Sequence, residues 1–579
     1  MPSQSLRRVR FALTAFIFLS GMLASRAALA AAPPALGPNV LIFRPSMPAA
    51  QIQKQIDKVY GLQQHSEFGP ERYALLFLPG HYHVNVPIGF YTQVLGLGVS
   101  PDSTVLTGNI HADATHPHNN ATCTFWRAVE GFTVVPAGGT MQWAVSQAAP
   151  FRRMHVRGNL VLHQNRGWAS GGWMSDSLID GNVDSGSQQQ WISRNSEWKS
   201  WTGSNWNMVF VGVPNPPAGE WPQPPFTKIA RTPVIREKPF LQVDARGNWS
   251  LRMPALQHNS VGITWHSGST PGRDLPLSSF YIAHAGADTA ANLNAALAQG
   301  KNLLLTPGIY DLTEPIRVTR PDTVVFGLGF ATLRPVNGTA ALITADADGI
   351  EIAGILFDAG PRESPVLLEV GPSGSHADHA RNPICLHDVF FRVGGAGIGS
   401  TRINLLVNSN DTLIDHTWIW RADHGAGVGW SRNISLNGLV VNGDRVTAYG
   451  LFVEHHQQFQ VLWNGNHGRT YFYQSEIPYD PPDQKSYSSA PGVDGWASYK
   501  VADSVTTHEA WGLGIYSVFY HPNVTLTRAI ETPRTPGVVF HHIITVALGR
   551  LGQISNVIDD KGGPTSIHPR VTPKVTRFP

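Results

Sequence analysis

Two stretches of this chain share one wording: ALLFLPGHY (Ala74–Tyr82) and NLLLTPGIY (Asn302–Tyr310). Each follows a short segment of helical spacing. In the first, Ala49–Gln63 places Ile52, Ile56 and Val59 on one face, and in the second the segment is Thr289–Gln299. Each is followed by a Gly-x-Gly, Gly96/Gly98 and Gly327/Gly329. The Pro-Gly-x-Tyr units lie 310 − 82 = 228 residues apart and the Gly-x-Gly units 327 − 96 = 231 apart, which marks an internal duplication. Short apolar strands with polar corners follow each opening, from Val105-Leu-Thr to Leu160-Val-Leu in the first copy and from Ile350 to Asn442 in the second. Their spacing is that of a solenoid. A helix at the start of each copy would cover the open edge of the first coil, and the Pro-Gly and Gly-x-Gly units would make tight corners. A pair of β-sandwiches would show similar strands, but the capping helices and coil-like spacing fit two parallel β-helices better, so the fold expected is all-β, two parallel solenoids each opened by a short helix.

The remainder of the chain divides around these copies. Residues 1–30 read as a secretory signal, with Arg7, Arg8 and Arg10 before the apolar run Phe11–Leu23 and a small-x-small site at Ala28-Leu29-Ala30. That run is shorter than the ~20 residues of a membrane span, so a secreted protein, extracellular or periplasmic and free of the membrane after cleavage, is expected. Residues 31–213 form the first β-helix. Residues 214–275 form a connection whose Pro214–Pro239 portion holds eight prolines and so excludes a central strand. Trp221, Phe226 and Phe240 predict that this connection is docked and not free. Residues 276–579 form the second β-helix.

Composition narrows the partners. Charged residues are 14% of the chain, below the ~25% of an average domain, while 17 Trp are present and the net charge is +3. So small a charge, with no basic run after the N-terminus, excludes a nucleic-acid binder, and two cysteines exclude a disulfide framework. His455-His456, His541-His542 and His376-Ala-Asp-His379 offer no chelating spacing, since neighbours on a strand face opposite ways, and no HExxH or CxxC is present. No metal or other cofactor is expected.

Gly450–Pro482 carries the chemistry. Glu454 and Glu476 lie there among Phe452, Phe459, Trp463, Tyr471, Phe472, Tyr473 and Tyr479. Aromatic faces stack on sugar rings, and a carboxyl held against apolar surface keeps its proton to higher pH, as a general acid must. The two glutamates are 476 − 454 = 22 residues apart, about one coil, which puts them on neighbouring strands. Such a pair can flank one glycosidic bond. Spacing alone does not choose between inversion, with carboxyls about 6.5–9.5 Å apart, and retention, with about 5–5.5 Å. A β-helical polysaccharide lyase and a non-catalytic glycan-binding solenoid are the competing readings.

SQAAPFRRMHVRGNL (Ser146–Leu160), SGSQQQWISRNSE (Ser185–Glu197), RPDTVVFGLG (Arg320–Gly329), WIWRADHG (Trp418–Gly425), GLFVEH (Gly450–His455) and YDPP (Tyr479–Pro482) together resemble glycoside hydrolase family 55, the exo-acting β-1,3-glucanases. The resemblance implies two tandem right-handed parallel β-helices of pectate-lyase-like type, a cleft between the two halves, and inverting release of glucose from laminarin-like glucan; a monomer is expected. It also implies Glu476 as general acid and Glu454 as the carboxylate that helps hold the attacking water. Gln188 and Gln190 would assist with that water. Trp420, Asp423 and Tyr479 would wall the terminal sugar subsite.

Overall fold

The computed structural model describes Met1 and residues 33–579, so the signal segment read at residues 1–30 lies almost wholly outside the described residues. From Val40 the chain winds into a first parallel solenoid. One wall is a nine-stranded sheet from Val40–Phe43 to Phe226–Ile229, and the opposing wall is an eight-stranded sheet that begins at Gly80–Pro87. A second solenoid repeats the plan, with a long wall running from Phe280–Ala283 through Leu413–Arg421, Thr447–Glu454 and Gly468–Glu476 to Val538–Ala547. The antiparallel strand Lys574–Phe578 pairs with Val538–Ala547 and covers the last edge.

Both duplicated openings do the same work. Helix α1 (Ala49–Gln63) buries Ile52, Ile56 and Val59 against the first coil, and α2 (Ala290–Ala298) buries Leu293, Ala296 and Leu297 against the second. Thr289 and Asn292 close a capping box that fixes where α2 starts. The tyrosine of each Pro-Gly-x-Tyr folds back to lock the corner: Tyr82 donates its hydroxyl to Leu78 O at 2.7 Å, and Tyr310 to Thr306 O at 3.0 Å. Gly329, at φ +58°, has no room for a Cβ, which would meet Tyr73 O at 2.6 Å. This corner glycine of the second copy therefore sits against the first copy.

The halves are fused through one face of each. Phe125, Trp126 and Trp173 of the first pack with Phe390, Trp418, Trp420 and Phe452 of the second in a continuous apolar layer. Within it lies a buried ion network. Arg152 reaches Asp388 and Asp415, both at 2.8 Å, and Arg194 reaches Asp415 at 3.0 Å and Glu237 at 2.6 Å. Burial opposes ionisation of Asp388 and Asp415, but the facing guanidinium groups outweigh it and hold both well below the usual carboxylate range. Gly450 (φ +63°) lies on the same face, where a Cβ would meet the Trp173 ring at 2.4 Å.

The connection is docked, with Trp221, Phe226 and Phe240 all buried. Its beginning differs from the boundary read at residue 213. Phe226–Ile229 pairs in parallel with Asn207–Val211, so the first solenoid continues to Ile229. The prolines before it are accommodated because the strand is the last in its sheet, where few ladder bonds are required. Phe240–Val243, Trp249–Pro254 and Gly272–Pro276 then form a small antiparallel sheet. Its Leu241, Leu251 and Met253 pack with Leu76 and Leu95 of one half and Leu304 and Phe326 of the other.

Candidate active site

Parallel pairing sets the site's register. Trp420 lies opposite Glu454, and Phe452 lies opposite Gln474 on the following strand. Counting two residues on brings Glu476 beside Glu454, and the backbone agrees: His455 N donates to Glu476 O at 2.8 Å. The spacing of 22 is thus one coil, and both glutamates line one cavity of about 200 Å3 at the junction of the halves. That is below the ~300–1,000 Å3 of pockets for drug-sized ligands and suits a small polar group. Trp418, Trp420, Asp423, His424, His455 and Tyr479 are among the second half's other lining residues, and Cys123, Phe125, Gln147, Ser170 and Gln189 among those from the first.

The two carboxylates are treated differently. Glu454 accepts from Gln474 Nε2 at 2.6 Å, Trp418 Nε1 at 2.8 Å and Gln147 Nε2 at 3.0 Å. Burial is the largest influence on it and pushes it up to about 7, while those three donors favour its ionised form. Glu476 meets only the Tyr479 hydroxyl at Oε2. Burial, then the charges of Glu454 and Asp423, push it well above the usual carboxylate range. One proton shared over this pair therefore resides on Glu476. This is the separation of roles that acid–base catalysis by two carboxyl groups requires.

The walls follow from local structure. Trp420 and Trp418 alternate along one strand and stack with ring centroids 4.7 Å apart. Arg421 forks onto Asp480, both contacts at 2.8 Å, which leaves Asp423 unpaired by that arginine. Burial would raise Asp423, but the hydrogen bond from His424 Nδ1 (2.9 Å) and the nearby His455 outweigh it and hold it at about 2. His424 also donates from Nε2 to Glu67 at 2.7 Å; although burial opposes its charge, these acceptors push it up to about 12. On the cavity wall His424 therefore bridges the carboxyl groups of Asp423 and Glu67.

The glutamine expectation needs correcting. Gln188 accepts from Gly171 N at 2.9 Å and donates to Val145 O and Leu162 O at 2.8 Å each, which spends its amide inside the first solenoid. Gln190 donates to Ser170 O at 2.8 Å and is likewise buried away from the cavity. The residue between them, Gln189, sits at a bend and is the one that lines the cavity. The first half's amide in contact with Glu454 is Gln147. Its Nε2 is engaged, while its Oε1 is buried with no protein partner. Gln147 lies inside the Ser146–Leu160 motif, but nothing local in that motif singles it out. Trp418 and Gln474 were more legible, since each lies two residues before a named site residue, Trp420 and Glu476, and so shares its face.

The description "LAM55 pectate lyase-like domain" matches residues 280–476. An exo-beta-1,3-glucanase of Streptomyces sp. (strain SirexAA-E / ActE) is 49% identical over 547 residues, covering 94% of this chain and 90% of that protein. The chain belongs to glycoside hydrolase family 55. The solved structure of sacteLam55A from Streptomyces sp. SirexAA-E superposes on this family 55 member with a TM-score of 0.92, covering 94% of this chain and 99% of that one. A variant of sacteLam55A in complex with glucose matches equally well, at TM-score 0.92 and 98% of its length. As a family 55 protein, the chain is a glycoside hydrolase with a polysaccharide substrate.

Proposed function

We propose that this protein is a secreted, monomeric glucan 1,3-β-glucosidase that removes glucose from the ends of laminarin-like β-1,3-glucan with inversion. The observation that carries the reading is the unequal pair in one small aromatic pocket: Glu476 with a single hydroxyl donor, Glu454 with three N–H donors. Support also comes from the 49% identical relative, which is named an exo-beta-1,3-glucanase. In the proposed reaction, the terminal sugar lies against Trp420 with Asp423 toward its hydroxyls. Glu476 donates its proton to the departing glycosidic oxygen. A water accepted by Gln147 Oε1 and Glu454 attacks the anomeric carbon from the opposite face, and Glu454 takes its proton. A cavity of only about 200 Å3 favours release of single glucose units.

Incubation with laminarin, followed by early-time NMR of the products, tests this directly. Glucose appearing first as the α-anomer is expected. First-formed β-glucose would overturn inversion, longer oligosaccharides would overturn exo-action, and an unsaturated product would indicate a lyase.

A further inference from the structure

Beside the two catalytic glutamates, a second cluster uses the same cavity wall. Glu67 follows α1, Cys123 precedes the strand Arg127–Glu130, and His424 follows the strand Leu413–Arg421. A carboxylate oxygen, a sulfur and a ring nitrogen from these three all lie within 4.8 Å of one another. None is fully buried, and Cys123 and His424 also line the catalytic cavity. His424 Nε2 meets Glu67 Oε1 at 2.7 Å, while its Nδ1 is held by Asp423 at 2.9 Å. His116 neighbours the Cys123 sulfur.

We propose that Glu67, Cys123 and His424 form an inhibitory site for a thiophilic divalent cation of the Zn2+ type, with His116 or a water as fourth ligand. One sulfur, one imidazole and one carboxylate on three sides of a point is a donor set that Zn2+ takes tetrahedrally. Ideal bond lengths of about 2.0–2.3 Å put neighbouring ligand atoms about 3.4–3.7 Å apart. The cluster therefore closes on a cation if the 2.7 Å contact opens by about 0.7–1.0 Å. Asp423 holds the second ring nitrogen, the carboxylate–histidine–metal arrangement that fixes a ligating imidazole. On binding, the proton between His424 and Glu67 and the thiol proton leave to solvent, and the metal bonds replace them. A fixed dication there would occupy space beside Trp420 and favour loss of the proton on Glu476. Both effects stop hydrolysis.

The inhibitory part rests on the proposed glucanase reading; occupancy itself does not. Titrating the full-length protein with Co2+ should produce a thiolate-to-cobalt charge-transfer band that added Zn2+ abolishes. Cys123→Ser should remove the band, and Glu67→Gln should weaken Co2+ binding at least tenfold. A protein with no such band, or one whose band survives Cys123→Ser, overturns the site. Zn2+ should also suppress glucose release from laminarin at least tenfold, reversibly by chelator, and Cys123→Ser should lose that sensitivity. Zn2+ inhibition unchanged in Cys123→Ser overturns the inhibitory role. A Cys123-dependent band in a protein that releases no glucose from laminarin sustains the cation site and overturns the glucanase reading.

Discussion

Gln147→Ala isolates the contribution of the first half of the chain to the chemistry of the second. Gln147 is 3% exposed and donates to Glu454 across the junction at 3.0 Å. A hydrogen bond to an ionised group contributes about 1.5–3 kcal/mol. At 1.4 kcal/mol per tenfold, the loss is about 10- to 150-fold in kcat/KM on laminarin. Truncation also removes the buried Oε1, which has no partner in the protein and is proposed here to hold the attacking water. The loss should therefore fall on kcat and not on KM. Because the Gln147 donor favours the ionised form of Glu454, removing it raises the value at which Glu454 titrates. The acid limb of the kcat/KM pH profile should then move to higher pH. The assay is glucose release from laminarin across pH, with thermal unfolding as a control for folding. Activity within twofold of the parent and an unmoved acid limb would refute the water-holding role.

Asp415→Ala should cost about 3–5 kcal/mol, the usual consequence of leaving buried charges unpaired, because Arg152 and Arg194 both face that carboxylate. Its folded-state value is depressed, so its contribution is present above the unfolded value of about 3.9 and lost as pH falls through the folded one. Thermal scans should show a deficit at pH 7 that narrows in strong acid. Glu476→Gln should lower glucose release about 10²- to 10⁴-fold while raising the unfolding temperature at pH 7. Here the folded-state value is raised, so Glu476 favours folding fully only below about pH 4.3 and progressively less as pH rises. Glutamine mimics the protonated form, and the stabilisation should vanish near pH 4; a gap independent of pH would count against burial as the cause.

Much of the strand pair that carries Glu454 and Glu476 was legible because it depends on local periodicity. Alternation along a strand and a coil of 22 residues suffice to put Glu454 beside Glu476 with Trp420 one rung away. The same local rules bring Asn408, Asn442 and Asn464 into an amide ladder, each contact 2.8 Å, while Asn404 donates to Ser435 Oγ. Gln188 and Gln190 turn their amides into the first solenoid, and Gln189, at the bend between them, lines the cavity. That arrangement became fixed only when the run was placed in its sheet.

By itself, then, the chain's sequence determined the duplication, the capping helices, the corners and the pairing of the two glutamates, since each arises from contacts within one copy at a regular spacing. Only the tertiary structure decided which amide reaches Glu454, how Arg152 and Arg194 are neutralised, and that Glu67, Cys123 and His424 converge. Those contacts cross the junction between two solenoids, where the periodicity within each gives no register between them. Face packing of Phe125, Trp126 and Trp173 on Trp418, Trp420 and Phe452 sets that register.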